Sequence, residues 1–287
     1  MKAYPNSARI AGASGSNFYW SFFFLPRVKR NGILAIYAFS RLVDDAVDEA
    51  ESAEKAREEI ALWRRRLDLC YGQNGGPREG DEAFHPVLPE VADAVQRFEM
   101  PRQYLEDLLI GVEMDLVKKR YETIAELEKY CYHVAGTVGL MCNRLFGYDD
   151  ESARQYAILL GRAFQLTNIL RDVGKDAKTG RIYLPREDLR KFSVEEKDLL
   201  EGRSSDSFRR LMDFEAERAE KAFGQAFAKL SLKRRKKLLP AEMMSSFYRR
   251  ILDKVRQENY PVFEKTVSLS RAEKLGLLAK TLVRSWI

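Results

Sequence analysis

The chain has 287 residues, of which 45% are hydrophobic and 32% are charged. This composition is typical of a soluble globular protein and excludes an intrinsically disordered chain. The formal net charge is +6 and the pI is about 9.1. Such a charge fits an anionic substrate, an anionic membrane surface or nucleic acid as a partner, and equally a basic exterior that binds nothing.

Three features of the sequence indicate the cellular location of the protein. The aromatic run WSFFFLP, residues 20–26, is too short for a signal peptide and is followed by basic residues. No apolar run approaches the roughly 18 to 20 residues that span a bilayer. The three cysteines are too few, and odd in number, for a disulfide framework. We therefore expect a protein of the reducing cytoplasm without a transmembrane anchor, and leave open a peripheral contact with the inner face of the membrane.

Apolar residues recur at three- and four-residue spacing along most of the chain, the pattern of amphipathic helices. The clearest interruption is residues 72–86, where Gly, Pro and charged residues predict an exposed loop. The segment TGRIYLP, residues 179–185, is at most a short extended stretch. Because no repeat and no composition shift divides the chain, we predict a single all-α domain over residues 1–287, with helices surrounding a central active-site cavity. The predicted helices span residues 32–49, 53–70, 87–98, 101–117, 123–146, 150–174, 187–200, 206–229, 233–257 and 269–285.

The stretch LVDDAVDE, which begins at residue 42, carries four acids in eight residues. On a helix, Asp44 and Asp48 are one turn apart and point the same way, whereas Asp45 points about 100° away. Acid pairs at this spacing are common on exposed faces. Here the preceding residues 36–39 are mostly apolar, which favours a largely buried helix. We therefore interpret Asp44 and Asp48 as a functional pair and Asp45 as a supporting or solvent-facing residue.

A second acidic ladder lies in FQLTNILRDVGKD, which begins at residue 164. Asn168, Asp172 and Asp176 recur at four-residue spacing along an apolar helix. Buried carboxylates without partners are costly. Two such ladders in apolar helices therefore predict either a bound cation or cationic side chains beside them.

The donor atoms of both ladders are oxygens, which favour a hard cation. Mg²⁺ typically takes one or two protein carboxylates and completes its coordination with water and substrate phosphate. Two ladders that face each other across a cavity would hold several Mg²⁺ ions against a diphosphate. Zinc is not expected, because the two histidines, His85 and His133, lie in no ligand-spaced cluster.

Five ordered stretches carry a resemblance to a known family: SGSNFYWSFFFLP, IYAFSRLVDDAVDE, YCYHVAGTVGL, QLTNILRDVGKD and GRIYLP. Together they resemble the head-to-head prenyl synthases, which are the squalene, dehydrosqualene and phytoene synthases of the all-α isoprenoid synthase fold. The resemblance covers about residues 14–271. The first stretch and GVEMDL, residues 111–116, make the chain most similar to the bacterial squalene-type branch of hopanoid synthesis, which makes presqualene diphosphate.

The resemblance implies two molecules of farnesyl diphosphate as substrates and several Mg²⁺ ions as cofactor, held by two aspartate-rich motifs. Asp44 and Asp48 match the first motif. Asn168, Asp172 and Asp176 match the second motif. The four aspartates are then catalytic residues as well as metal ligands.

Further site residues are also implied by position in the family. The family often has Ser-x-Ser-Phe near its start, where this chain has Gly-Ser-Asn-Phe from residue 15, so Ser16 or Asn17 is expected to supply the diphosphate contact. As alternatives to these roles, Arg41 and Arg171 could be ion-pair partners of the aspartates. The matching residues are Tyr37, Arg41, Gln165, Arg171 and Tyr248 for substrate and diphosphate, Phe18 and Phe22 along the isoprenoid channel, and Tyr130 and Tyr183 as catalytic tyrosines near the reacting carbons.

The implied activity is the head-to-head condensation of two farnesyl diphosphates to presqualene diphosphate. Phytoene or dehydrosqualene synthesis shares every motif and stays open as an alternative. Full squalene synthesis would require a hydride donor such as NADPH, and no Gly-x-Gly-x-x-Gly lies between a strand and a helix. The prediction therefore stops at presqualene diphosphate and leaves NADPH use open.

Two basic runs, residues 64–66 and 233–237, lie on predicted helices without interleaved aromatic residues. We therefore expect no nucleic-acid partner. Because the product is apolar, the second run could instead contact anionic lipid. Downstream enzymes of the squalene or hopanoid pathway are the expected functional partners.

Overall fold

Helices form the regular structure of the computed structural model, which describes residues 4–13, 25–72 and 76–286. Within these ranges there is no strand, only an isolated parallel bridge between Arg120 and Ile182, so the all-α prediction is confirmed. The first helices are α1 (Pro5–Ala13), α2 (Arg27–Asp48), α3 (Ala53–Cys70), α4 (Leu88–Arg97), α5 (Arg102–Val117), α6 (Ile124–Cys131) and α7 (Thr137–Phe146). They are followed by α8 (Glu151–Lys178), α9 (Arg186–Lys191), α10 (Glu196–Leu200), α11 (Asp206–Lys229), α12 (Leu232–Lys236), α13 (Leu239–Gln257) and α14 (Arg271–Trp286).

Side-chain caps begin three of these helices. Ser52, Thr123 and Ser205 each accept a hydrogen bond from the backbone N–H three residues later, at 3.1 to 3.3 Å. Each bond satisfies one of the N–H groups that a helix leaves without an internal partner, and such a cap typically contributes about 1 kcal/mol. The starts of α3, α6 and α11 are therefore encoded locally.

The predicted helix over residues 233–257 is wrong in one respect, because it is two helices. α12 ends at Lys236 and α13 begins at Leu239. Pro240 is the second residue of α13 and has no N–H to donate. In a continuous helix its ring would also clash with the carbonyl of Lys236, so the helix has to restart.

The predicted helix over residues 187–200 is also wrong, since α9 and α10 are separate. Ser193 has a φ of 54°, the left-handed conformation that ends many helices. Its N–H donates to the Arg190 carbonyl at 3.1 Å, and the Val194 N–H donates to the Leu189 carbonyl at 2.9 Å. These bonds satisfy the carbonyl end of α9, after which α10 begins at Glu196.

A turn of π-helix, Tyr132–Gly136, separates α6 from α7 within the predicted helix over residues 123–146. The helical prediction is right, but the wider turn was not predicted. A Cβ atom added to Gly161 of α8 would lie 2.5 Å from the carbonyl oxygen of Ala135 in this turn. The two backbones therefore touch at a position where only glycine fits.

The chain divides into two compact units. The first consists of Met1–Val117 and Thr137–Arg154. Its central helix is α2, which contacts α1, α3, α4, α5 and α7. Gly32 lets α2 approach its neighbours, because a Cβ there would lie 2.5 Å from the Phe98 ring and 2.7 Å from Leu145.

The second unit consists of Lys118–Gly136 and Gln155–Ile287. Helix α13 packs against α11, α12 and α14 in this unit. The predicted short extended segment over residues 179–185 begins with a turn at Thr179 and Gly180. Ile182 then forms the bridge to Arg120, and its N–H donates to the Lys119 carbonyl at 3.1 Å. That one domain spans residues 1–287 stays a prediction.

A buried charge cluster lies in the second unit. Arg218 donates to Asp188 at 2.9 Å and to Glu215 at 2.6 Å. Glu215 is 2% exposed. Burial, followed by the charge of Asp188, outweighs the effect of Arg218 and raises the pKa of Glu215 to about 8.

None of the described helices combines the length and the apolar character that crossing a membrane requires.

Candidate active site

The first acidic pair lies on the last turns of α2. The opposite side of this helix is buried through Ile36, Phe39 and Val43, whereas Asp44 and Asp48 are exposed. The prediction of a largely buried helix is therefore wrong for the face that carries the acids. Because one helical turn separates them, the two carboxylates project from the same exposed face.

Arg41 organises this face. Its guanidinium Nε donates to Asp45 Oδ2 at 2.9 Å, a second nitrogen contacts the other Asp45 oxygen, and Asp44 lies 3.7 Å away. Asp45 is 27% exposed and Asp44 is 52% exposed. Of the two alternatives predicted for Asp45, the ion pair with Arg41 agrees with the supporting role.

Negative charge accumulates around Asp44. Partial burial, followed by the charge of Asp48, raises the pKa of Asp44 to about 6. Asp45 and Asp115 add smaller effects in the same direction, and Arg41 opposes them. Asp115 lies in GVEMDL on α5 and belongs to neither ladder, so the sequence predicts for it only a place on the polar face of the helix or a supporting role. A cation bound here would favour the ionised carboxylates.

The second ladder lies on α8. Asn168, Asp172 and Asp176 are one turn apart from each other, so they share one face of the helix. Arg171 forms two hydrogen bonds to Asp172, with 2.8 Å between Nε and Oδ1. The sequence alternative of an ion-pair partner is therefore observed for Arg171 as for Arg41. Burial alone would lower the pKa of Arg171, but the hydrogen bond and charge of Asp172, together with the charges of Tyr248 and Asp176, outweigh burial and raise the pKa.

Asn168 carries an unsatisfied polar atom. Its side-chain nitrogen donates to Gln165 Oε1 at 3.3 Å. Its Oδ1 is buried and accepts no hydrogen bond. A buried acceptor without a partner typically costs about 1–3 kcal/mol, so it points to a ligand that the protein itself does not supply.

Three tyrosines form one aromatic cluster in the second unit. The rings of Tyr130 and Tyr183 stack with centroids 5.2 Å apart, and their hydroxyls are 3.4 Å apart. Tyr121 is fully buried and lies against both, at 5.6 Å from Tyr130 and 5.8 Å from Tyr183. Lys118 Nζ lies 4.9 Å from the Tyr121 ring. Tyr130 and Tyr183 were predicted from the sequence, whereas Tyr121 was not, because it precedes α6 and belongs to no periodic pattern.

Tyr37 and Tyr248 are each close enough to one of the two arginines to affect its pKa. Tyr37 lies one turn before Arg41 and affects its pKa. Tyr248 of α13 is buried, stacks on Phe164 at 4.3 Å and acts electrostatically on Arg171. A small cavity of about 10 Å³ is lined by Asp176 and Tyr183 among other residues. The predicted residues Ser16, Asn17, Phe18 and Phe22 lie outside the described residues.

The donor atoms of the two ladders suit Mg²⁺ ions that are bound together with an anionic ligand. In the ranges that the structure covers, no group of three or more His, Cys, Asp or Glu side chains lies close enough to hold a metal ion alone. Mg²⁺ suits such sparse sites, because it keeps several waters and binds substrate phosphate. A hard cation would satisfy Asn168 Oδ1 and relieve the repulsion between Asp44 and Asp48. The residues present therefore fit Mg²⁺ in company with an anionic ligand.

Relatives of known name are similar along the whole chain. The 15-cis-phytoene synthase of Synechococcus elongatus is 35% identical over 298 residues, which cover 100% of this chain and 94% of that protein. Phytoene synthase 2 of Solanum lycopersicum is 33% identical over 295 residues, which cover 100% of this chain and 92% of that protein.

Solved structures share the fold. A dehydrosqualene synthase in complex with a ligand superposes with a TM-score of 0.83 at 31% identity, covering 98% of this chain and 95% of that one. Squalene synthase HpnC from Alicyclobacillus acidocaldarius superposes with a TM-score of 0.78 at 25% identity, covering 90% of this chain and 94% of that one.

The squalene/phytoene synthase family model matches residues 11–273, which include both acidic ladders and the three tyrosines. Members of this family are head-to-head prenyltransferases, and they ionise a diphosphate with the help of a divalent metal. The match in sequence and the superposition agree on the isoprenoid synthase fold. The chain therefore belongs to the squalene/phytoene synthase family.

Proposed function

We propose that this enzyme condenses two molecules of farnesyl diphosphate head-to-head to presqualene diphosphate. The observation that carries the proposal is the presence of two intact acidic ladders, each with an arginine beside it: Arg41 binds Asp45 next to the first pair, and Arg171 binds Asp172 of the second ladder. A family member that had kept the fold only for binding or assembly would have no need for both sets of carboxylates.

The ladders would hold Mg²⁺ through Asp44 and Asp48 of α2 and through Asn168, Asp172 and Asp176 of α8. Bound Mg²⁺ would neutralise the diphosphate and make it a better leaving group. The raised pKa of Asp44, about 6, reflects its burial and the nearby charge of Asp48. Bound Mg²⁺ would offset that repulsion and lower this pKa, so the cation and the ionised carboxylate would stabilise each other.

The arginines would move from aspartate to phosphate. A guanidinium presents several N–H donors in a plane that suits phosphate oxygens as well as carboxylates. Arg171 is bound to Asp172 in this structure. An arriving diphosphate offers a more highly charged acceptor, and the exchange would release Asp172 to bind metal.

The reaction then proceeds with a balanced set of bonds. The allylic C–O bond of one substrate breaks, and its electron pair leaves with the diphosphate. The double bond of the second substrate attacks the allylic cation and forms a C–C bond. Loss of a proton to the released diphosphate closes the cyclopropane ring.

The tyrosine cluster would shelter the positive charge. Aromatic faces attract a cation within about 6 Å of the ring centroid. Tyr130 and Tyr183 are buried and stacked, so they can present ring surface while they exclude water, which would otherwise capture the cation.

A second candidate is phytoene synthesis from geranylgeranyl diphosphate. It is favoured by the names of the curated relatives, which are phytoene synthases at 33 to 35% identity. The motifs SGSNFYWSFFFLP and GVEMDL favour the shorter substrate instead. Dehydrosqualene synthesis and full squalene synthesis with NADPH would follow from a different fate of the same cyclopropyl intermediate.

The deciding experiment is a product assay with the purified protein. Farnesyl and geranylgeranyl diphosphate are each supplied with Mg²⁺, with and without NADPH, and the products are identified by mass spectrometry. We expect presqualene diphosphate from farnesyl diphosphate, unchanged by NADPH. Phytoene from geranylgeranyl diphosphate as the main product would establish the second candidate in its place.

The metal ladders are tested by Asp44→Ala and Asp172→Ala. Each variant is expected to abolish product formation and to keep the helical far-UV circular dichroism of the wild type. Asp253→Ala is the matched control, since this aspartate is exposed on α13 outside both ladders. Turnover retained in either ladder variant would contradict the assignment of these aspartates.

We also propose that the enzyme works in the cytoplasm, where it would supply an apolar product to downstream enzymes of squalene or hopanoid synthesis. The cysteines support a reducing compartment, because Cys70, Cys131 and Cys142 are all free thiols. Burial raises the pKa of each thiol to about 12, so none is prepared for redox chemistry.

A further inference from the structure

The last helix, α14, carries a stripe of apolar residues on its outer side. Leu275 and Val283 are 54% and 59% exposed, among the most exposed large hydrophobic side chains of the described residues. Ala272, Gly276 and Ala279 are exposed as well. Because these five positions recur at three- and four-residue spacing, they form one continuous stripe along the helix.

The opposite side of α14 is fixed to α13. Leu278 of α14 is buried. Glu273 binds Lys254 at 3.2 Å near the start of α14, and Thr281 lies 3.4 Å from Ser246 near its end. These contacts run in opposite directions along the two helices, so α14 lies antiparallel to α13 and its apolar stripe faces away from α13.

Positive charge surrounds the stripe. The basic residues of α14 are Arg271, Lys274, Lys280 and Arg284, and its single acid, Glu273, is already bound by residues of α13. Lys280 and Arg284 are exposed beside the stripe. The outer face of α14 therefore combines apolar side chains with a net positive charge.

The short helix α12 also combines an exposed apolar side chain with basic residues. It has the sequence LKRRK, and its first residue, Leu232, is 59% exposed. Lys233 next to it is also exposed. Since α12 directly precedes α13 and α14 is antiparallel to α13, these residues lie toward the end of the stripe that carries Val283 and Arg284.

We propose that the outer face of α14, together with α12, binds the surface of an anionic lipid bilayer. A surface helix with an exposed apolar stripe and flanking Lys and Arg lies in the interface plane, with its apolar side chains at the acyl boundary and its cations at the phosphates. An uncharged apolar protein surface would cover the stripe but would leave the flanking cations without counter-charge, whereas anionic lipid supplies both the apolar layer and the negative charge. The family match ends at residue 273, so nearly all of α14 lies beyond it, and the inference does not depend on which product the enzyme makes.

The test is co-sedimentation of the full chain with vesicles. Vesicles of phosphatidylcholine alone are compared with vesicles that also contain phosphatidylglycerol, at low and at high salt. We expect binding to the anionic vesicles at low salt and a loss of at least roughly tenfold in affinity at high salt or on the neutral vesicles, because attraction of cations to the membrane surface is screened.

Two double variants locate the surface. Lys280→Glu with Arg284→Glu is expected to weaken binding to anionic vesicles by roughly tenfold or more, since each basic residue near such a surface contributes about fivefold. Leu275→Glu with Val283→Glu should weaken it similarly by removing the apolar contact. The control is Lys221→Glu with Lys229→Glu on α11, which makes the same change of charge at exposed positions and should bind nearly as the wild type does.

Three outcomes would overturn the proposal. The wild type could bind neutral and anionic vesicles equally, the α11 control could lose as much binding as the α14 variants, or both α14 variants could bind anionic vesicles as the wild type does. Light scattering of the same proteins adds a further criterion. If the wild type were a dimer, and the Leu275→Glu, Val283→Glu variant were monomeric with unchanged vesicle binding, the stripe would be identified as a protein interface. Circular dichroism verifies that every variant is folded.

Discussion

Alanine at Gly161 is expected to destabilise the protein measurably. A Cβ atom at this position would lie 2.5 Å from the oxygen and 2.7 Å from the carbon of the Ala135 carbonyl, and 2.8 Å from the nitrogen of Gly136. Ordinary contacts are longer by roughly 1 Å, so the π-helical turn and α8 would have to separate by about that distance. All three atoms belong to the backbone and cannot rotate away.

The magnitude follows from two opposing effects. Overpacking in a well-packed interior typically costs about 1–3 kcal/mol, and rigid neighbours favour the upper end. Replacing glycine by alanine inside a helix returns about 1 kcal/mol through helix propensity. We therefore expect the Gly161→Ala variant to lose about 2 kcal/mol of unfolding free energy.

Urea denaturation followed by circular dichroism measures this difference, and the chain offers a matched control. Gly224 lies in helix α11, and a Cβ added there meets nothing within 4 Å. Gly224→Ala should gain up to about 1 kcal/mol, so the two variants should differ by about 3 kcal/mol. If Gly161→Ala were as stable as the wild type while Gly224→Ala behaved as expected, the backbone contact would not be what requires glycine.

Three further changes test other parts of the molecule. Asn168→Ala should raise the Mg²⁺ concentration needed for half-maximal activity with little change in the melting temperature of the metal-free protein, because Oδ1 has no hydrogen bond to lose and the side-chain nitrogen loses only a 3.3 Å bond to Gln165; an unchanged Mg²⁺ requirement would exclude Oδ1 as a ligand. Glu215 has a pKa of about 8 when folded and 4.5 as its ordinary value, so the folded state binds its proton more tightly and the unfolding free energy falls as the pH rises between these values. Glu215→Gln should abolish that decline, so its stability relative to the wild type should increase from about pH 5 to about pH 8 by more than about 1 kcal/mol, and parallel urea midpoints at both pH values would contradict this. Tyr121→Ala should cost about 3–5 kcal/mol of unfolding free energy, whereas Tyr121→Phe, which keeps both ring contacts, should cost much less in the same urea titration.

The long helices could be predicted from the sequence because their apolar periodicity is sustained over many turns. The break before Leu239 was missed although Pro240 carried the signal for it. The break at Ser193 carries no comparable signal, since the left-handed conformation of this residue is stabilised by the hydrogen bonds that end α9. The π-helical turn was missed because one extra residue barely changes the apolar pattern.

The sequence predicts the carboxylates of the candidate site and offers Arg41 and Arg171 as their partners, but it does not show which aspartate each arginine binds. Four-residue spacing places Asp44 with Asp48 on one face whatever the packing. The bond between Arg171 and Asp172 joins neighbours that diverge by about 100° on a helix, and only the reach of the long arginine side chain permits it. The contact of Tyr121 with Tyr183 depends on the bridge at Ile182, which joins segments distant in sequence.

The two compact units are interleaved along the chain, so no single cut leaves both of them whole. During synthesis the first unit is complete once Arg154 has been added. At that moment residues 118–136 have been made, but Tyr183, which stacks on Tyr121 and Tyr130, has not. At about 5–20 residues per second, the ribosome needs a few seconds more to supply it. The aromatic cluster can therefore form only after synthesis has returned to the second unit. Until then Tyr121 and Tyr130 lack Tyr183, while the first unit already has all of its residues and is free to fold.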